Sequence, residues 1–266
     1  MTKVLNDIIL PDILYKYRDF SDKFHRDLIT KQEIYLSEPN SFNDPFDCKI
    51  PTRWDLMTQD EFDNRNEELV ENGRNVSYRN ERDRKIFAIR LQAQGVWWSR
   101  ENIKKPGKDY FDTISGLSGV ISLTSKADNI LMWSHYSNSH SGFCVGFDTD
   151  KILELACFDF IGKVSYSKPY PIIEAAFNID LRYYLEMFSK SSDWEYEDEY
   201  RITKRHMDTR VVKLPKNTIK EIVLGCMIND IDKRELLKQI QTNLPHVQIK
   251  QAELKEYEFG LNIKEN

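Results

Sequence analysis

Three observations predict an α+β fold with mixed, mainly antiparallel sheets, flanking helices and a helical insertion. Strand-like and helix-like segments alternate, yet the strands are short and some follow one another directly, which disfavours a doubly wound parallel sheet. Neither GxGxxG nor GxxxxGK[ST] occurs, so the familiar nucleotide fingerprints are missing. The chain has 266 residues, 40% hydrophobic and 30% charged, enough to bury a sizeable core as a single domain over 1–266.

ILYKYR, 13–18, is the first strand. A helix over 21–32 follows, capped by Ser21, with Phe24, Leu28 and Ile29 on one side. A strand over 33–39 stops at Pro39. NSFNDPFD, 40–47, is a turn, because Pro45 fixes its own φ and restricts Asp44. Between 58 and 108 the chain becomes highly charged and helix-prone, with Gly73 near a break and 104–108 as an exit loop. This stretch is the insertion.

GVISLTS, 119–125, is a strand that puts Val120, Ser122 and Thr124 on one face and Ile121 and Leu123 on the other. Ser125 to Asp128 resembles a capping box and opens a helix over 128–138. In the strand 142–148, Gly142 and Gly146 imply a bend or a close backbone approach. A short helix and a strand over 162–167 follow, then breaks at Pro169 and Pro171, then an amphipathic helix over 172–190. WEYEDEYR, 194–201, is taken as a strand with Glu195, Glu197 and Glu199 on one face. A buried strand over 219–227, a helix over 230–244 and strands over 247–254 and 257–263 complete the chain.

The net charge of −5 supplies no overall basic field for nucleic acid. No apolar run approaches the roughly 20 residues of a membrane helix. The N-terminal apolar run is broken by Asp7, Pro11 and Asp12, so no secretory signal is expected. Cys48, Cys144, Cys157 and Cys226 lie far apart with no CxxC pair, which argues against a zinc site or a disulfide framework and for a reducing cytoplasm. The insertion carries Arg79, Arg82, Arg84, Lys85, Arg90 and Arg100 near Trp97 and Trp98. A solvated helix face with i,i+4 pairs is favoured there; a nucleic-acid partner along 79–108 is the alternative.

Three places hold more polar, aromatic and basic residues than a core needs. At Tyr15-Lys16-Tyr17-Arg18, a strand end, an arginine can hold a phosphate bidentately. Ser122-Leu123-Thr124-Ser125 leads into Trp133-Ser134-His135-Tyr136, a strand feeding a helix, where Trp133 and Tyr136 share a side and can stack on a flat ring. His135 and His140 are poorly spaced for a shared metal, so none is expected. In the glutamate row, crowded like charges raise the pKa of one member, and a carboxylate pair suits general acid–base work or stabilisation of an oxocarbenium ion. A solvated edge strand explains the row about as well.

LYKYR, LSEPNSFNDPFD, MWSHYSNSHSGFCVGF and WEYEDEYR, in this order, resemble a widespread bacterial and phage family known as a domain of unknown function, over roughly 13–260. The motif order is also similar to that of the ADP-ribosyltransferase superfamily, in which a mixed α+β fold splits NAD. This resemblance implies NAD as substrate and an unidentified macromolecular target, in phage–host conflict. Arg18 matches the family's first-strand arginine and would position the NAD phosphate or ribose. Ser122 and Thr124 loosely match its Ser-Thr-Ser strand end, with Leu123 interrupting. Glu197-Asp198-Glu199 matches its Glu-x-Glu pair, although Glu195-Tyr196-Glu197 has the same spacing. Glu199 would hold the ribose 2′-hydroxyl and stabilise the oxocarbenium ion, and Glu197 would orient the nucleophile. Trp133 or Tyr136 would stack on nicotinamide, with Tyr17 and His135 beside them.

Overall fold

The computed structural model of the protein describes residues 3–5, 8–71, 81–93, 106–155, 157–174 and 179–265. It is a mixed α+β fold built on a mostly antiparallel open sheet. In chain order the elements of the first half are β1 (Lys3–Val4), β2 (Ile13–Arg18), α1 (Lys23–Thr30), β3 (Glu33–Tyr35), α2 (Gln59–Glu71), α3 (Glu81–Ala93), α4 (Pro106–Leu117), β4 (Gly119–Thr124) and α5 (Ile130–Tyr136). The second half holds β5 (Phe143–Asp148), α6 (Thr149–Leu153), β6 (Phe160–Lys163), β7 (Ser165–Ser167), α7 (Ile179–Met187), β8 (Ser189–Ser191), β9 (Glu199–Lys204), β10 (Val211–Lys213), β11 (Ile219–Leu224), α8 (Asp230–Asn243), β12 (Gln248–Leu254) and β13 (Leu261–Glu265).

The main sheet runs β1-β6-β9-β4-β2-β5-β11-β12-β13, and β10-β3 and β7-β8 form two small sheets. One face carries a core of Leu14, Ile121, Val145, Phe147, Ile202 and Ile222, closed by Leu28 and Ile29 of α1 and Leu236 and Ile240 of α8. On the other face Tyr17, Cys144 and Val223 pack with Trp133 of α5. Val120 and Phe160 pack there with Tyr183 and Met187 of α7. Both faces of β4 and β5 are buried, which is why their sequences are nearly continuous apolar runs.

Some local expectations are corrected. Asp22, not Ser21, caps α1: its carboxylate accepts from Phe24 N, while the Ser21 hydroxyl is held by Asp19. Asn129, not Ser125, caps α5, accepting from the N–H groups of Leu131 and Met132. Pro106 to Lys108 belong to α4 rather than to an exit loop, since proline at the first turn of a helix loses no internal hydrogen bond. Gly73, Arg79, Trp97, Trp98, Arg100, Lys104 and Lys105 lie outside the described residues. Within α3, Arg82 and Lys85 are exposed and Arg84 pairs with Glu81 at 3.9 Å, as on a solvated helix face. Among the described residues, no helix is long and apolar enough to cross a membrane.

The seam between β2 and β4 creates the space for a site. These strands share a single registered pair, Tyr15 opposite Thr124. Beyond it the Lys16 side chain spans the gap, Nζ donating to Ser122 O at 2.8 Å. β2 is held from its other side by six pairs with β5. Gly142 allows that approach, since a Cβ there would lie 2.1 Å from the Arg18 carbonyl oxygen. Gly146 is equally confined, its Cβ position meeting Glu221 Cγ at 2.7 Å and Tyr15 Cε1 at 2.9 Å.

Candidate functional site

A cavity of about 500 Å³ opens at the seam. Its walls include Lys16, Tyr17 and Arg18 of β2, Ser122 of β4, His135 and Tyr136 of α5, Lys190 of β8, Glu197, and Glu199 of β9. Because β4 leaves the edge of β2 uncovered, residues from both faces of β2 reach the cavity. A second cavity of about 490 Å³ is lined by Asp22, Phe24, Leu28, Ile34, Tyr35 and Val211. The two share Arg18, His25 and Ser37 as common wall.

WEYEDEYR is not one strand. Residues 192–197 form a 3-10 helix capped by Ser191, and Asp198 follows with φ 45° and ψ 51°. Aspartate tolerates this left-handed conformation better than most residues. The carboxylate of Asp198 is held by the Ser125 hydroxyl and, at 2.6 Å, by Lys163. The turn takes Glu195 out of the charge row that a strand would impose. Glu195 is left exposed, whereas Glu197 and Glu199 are buried, each against a cation.

The floor of the cavity is a buried ion network. Arg201 is fully buried and uses every N–H it has. Nε donates to Glu199 Oε1 at 2.8 Å, Nη2 to Glu199 Oε2 at 2.9 Å and Asp47 Oδ2 at 2.7 Å, and Nη1 to Met187 O at 2.7 Å and Cys48 Sγ at 3.2 Å. Lys190 lies 2.5 Å from Glu197 Oε2, 3.2 Å from Glu199 Oε2 and 3.6 Å from Asp47 Oδ2. The Tyr136 hydroxyl donates to Glu197 Oε1 at 2.7 Å, and the Tyr166 hydroxyl accepts from Glu199 N at 2.9 Å.

These surroundings drive the two glutamates apart. Burial would raise the Glu199 carboxyl, but the charges of Arg201 and Lys190, with hydrogen bonds from Arg201 and Ser122, hold it down at about 2. Glu197 is raised: burial and the Glu199 charge outweigh Lys190 and Tyr136. Two carboxyls whose environments separate their pKa values are how sites divide acid and base work. Lys16 is pushed well below the usual lysine range by burial and by Arg18, against the pull of Glu199 and Glu197. Arg18 is lowered to about 10 by burial, partly offset by Asp22. Among the described residues its guanidinium makes no hydrogen bond.

Of the residues singled out from the sequence, Tyr17, Arg18, Ser122, His135, Tyr136, Glu197 and Glu199 line the cavity. Tyr17 does so mainly as core: its ring packs edge-on to Trp133 at 5.1 Å and its hydroxyl donates to Lys126 O at 2.8 Å. Thr124 and Trp133 do not reach the cavity. Thr124 is fully buried, its Oγ1 accepting from Lys126 N at 3.2 Å. Trp133 is fully buried, with Nε1 donating to Ala127 O at 2.8 Å, because the face of α5 that it occupies packs on the sheet. Tyr136 is the aromatic of that pair which meets the cavity.

Asn43, Asp47 and Lys190 are among the wall residues that the sequence did not single out. Asn43 and Asp47 belong to FNDPFD, whose turn signal is met by Asp44 Oδ1 accepting from Phe46 N at 2.9 Å; the same turn presents its other polar side chains to the cavity. Lys190 carries no local signal, since the parallel pairing of β7 and β8 sets it opposite Tyr166. Among the described residues, no group of His, Cys, Asp and Glu could hold a metal ion.

A family described as "Protein of unknown function (DUF2971)" matches residues 132–202, the stretch that carries Trp133, His135, Tyr136, Lys190, Glu197, Glu199 and Arg201. No curated protein and no solved structure matches the chain.

Proposed function

We propose that the cleft binds NAD and breaks its N-glycosidic bond, passing ADP-ribose to a macromolecular acceptor or to water, as an ADP-ribosyltransferase-like enzyme in phage–host conflict would. The observation that carries this reading is convergence. Arg18, Ser122 and the Glu197/Glu199 pair come from distant segments and line one cavity. Buried carboxyls whose pKa values are shifted in opposite directions are a common feature of sites that move protons.

The chemistry fits the groups present. Loss of nicotinamide builds positive charge on the ribose, and carboxylates fixed beside it stabilise that charge more in the transition state than in the ground state. Arg18, free of hydrogen bonds within the described residues, offers its fork to the pyrophosphate from the wall shared by the two cavities. Tyr136 and the exposed His135, whose rings lie 6.2 Å apart, offer flat surface for a ring. Phe24 and Tyr35 offer the same in the second cavity.

The test is to incubate the purified protein with labelled NAD, alone and with bacterial and phage lysates. Nicotinamide release, with or without transfer of label, is expected. Absence of NAD binding in calorimetry, together with absence of release under every condition, would sink the reading.

A further inference from the structure

Glu197 and Glu199 are not equivalent partners for a ligand. An ionised carboxylate offers about four lone-pair sites to donors. Glu199 accepts two hydrogen bonds from Arg201 and one from Lys190, and the Ser122 hydroxyl adds another. Its capacity is therefore filled by the protein. Glu197 accepts one from Lys190 and one from Tyr136, one on each oxygen, and keeps the rest of its capacity on the cavity wall.

We propose that Glu197 is the catalytic carboxylate that meets the ligand, and that Glu199 is a positioning residue that holds Arg201 and Lys190 and sets the charge Glu197 experiences. This deepens the function proposed above, on which its kinetic arm rests: Glu197 takes the proton of the nucleophile that the resemblance has it orient, and Glu199 moves from contact with the ribose to a positioning role. In the step assigned to Glu197, a lone pair of the acceptor forms the new bond to the ribose C1′. The bonding pair of the C1′–N bond leaves with nicotinamide and neutralises its pyridinium, and the proton lost by the acceptor passes to the Glu197 carboxylate. A base must first be ionised, so activity rises with pH through the titration of Glu197. The charged and titratable groups around it are Lys190 from β8, Tyr166 from β7, Tyr136 from α5, Glu199 from β9, Lys16 from β2, Asp47 from the turn before α2, and Tyr196 on its own turn. Glu199 is the negative charge among them that most raises Glu197.

The experiment compares Glu197→Gln and Glu199→Gln with the wild-type chain in NAD turnover against pH, and follows both carboxyls by ¹³C NMR. Glu197→Gln is expected to keep the melting temperature and to lose roughly 10²-fold or more in kcat, the size of a general base. Glu199→Gln is expected to retain measurable turnover, with the acid limb of its pH profile moved to lower pH and its melting temperature reduced. Wild-type turnover in Glu197→Gln, or a Glu199→Gln protein that is folded and inactive with the Glu197 titration unmoved, would overturn the assignment. Should Glu199→Gln fail to fold, the wild-type titration decides: Glu197 is expected to titrate above Glu199 and to shift on adding NAD, and the reverse order overturns the proposal. A wild-type chain that neither binds nor cleaves NAD removes the function proposed above, and the order of the two titrations still rules on which carboxyl the protein has left free.

Discussion

Arg18 and Arg201 both serve the cleft, and they sit in opposite conditions. Arg201 is fully buried, with every N–H donor matched to a carboxylate, a carbonyl or a thiol. Arg18 is half-buried on the wall between two cavities and makes no hydrogen bond among the described residues. A buried arginine whose donors are all used is part of the framework, because any ligand would first have to displace protein groups. An arginine left unengaged beside a cavity has its hydrogen-bonding capacity still available. Hydrogen-bond accounting thus separates the floor, which is committed, from the Arg18 wall, which is available.

The widest break in that contrast comes from removing the two arginines in turn. Arg201→Met leaves Glu199 and Asp47 buried with Lys190 as their remaining close cation, and stranding buried charge typically costs about 3–5 kcal/mol. Among the described residues Arg18→Met strands no ion pair, and it is expected to cost well under that in the same urea titrations. Equal losses would place both arginines in the framework.

Acid probes the floor through Glu199. The Glu199 carboxyl is held at about 2 in the folded chain, against an ordinary value of 4.5. Its contribution is therefore fully present above the unfolded value and is lost as pH falls from there toward 2. At about 1.4 kcal/mol per pKa unit, this amounts to roughly 3 kcal/mol. Glu197 acts with the opposite sign. Its folded value is raised, so its contribution is present at low pH and is lost as pH rises through that value. Urea midpoints measured from pH 6 downward are expected to fall steeply in the wild type and much less in Glu199→Gln; parallel curves would remove Glu199 from the floor.

The Arg18 wall is probed by ligand. Charge-assisted hydrogen bonds contribute about 1.5–3 kcal/mol each, so Arg18→Ala is expected to weaken NAD binding by roughly 10- to 100-fold in calorimetry. Unchanged affinity would show that the open guanidinium is not used.

Much of this geometry follows from local patterns, and the remainder follows from pairings that no pattern encodes. β2, β4 and β5 are legible because their apolar runs and breakers mark them, and the tight spots follow from glycine just before β5 at Gly142 and within it at Gly146. The separation of Glu197 from Glu195 is not legible. Strand alternation fits WEYEDEYR until one residue, Asp198, takes a left-handed conformation, and that depends on Ser125 and Lys163 from distant segments. Lys190 is hidden for a related reason. It lies in a three-residue strand, too short for a periodic signal, and reaches the carboxylates only because β8 pairs with β7.

Trp133 offers the smallest and most selective check. Sequence alone makes it as good a stacking surface as Tyr136, since both lie on one side of a short helix. Packing separates them: Trp133 is sealed against Tyr17 with its Nε1 engaged, while Tyr136 reaches the cavity and turns its hydroxyl to Glu197. Trp133 therefore belongs with Arg201 among the committed groups, and Tyr136 belongs with the available ones. Trp133→Phe keeps most of the buried ring and loses one hydrogen bond, leaving Ala127 O without that donor. It is expected to cost on the order of 1 kcal/mol in stability and to leave NAD affinity unchanged. Tyr136→Phe should do the reverse at the ligand, because it frees Glu197 Oε1 from its tyrosine donor and alters the wall of the cavity. If Trp133→Phe weakened NAD binding at unchanged stability, packing would have sorted this pair wrongly, and Trp133 would belong to the binding wall.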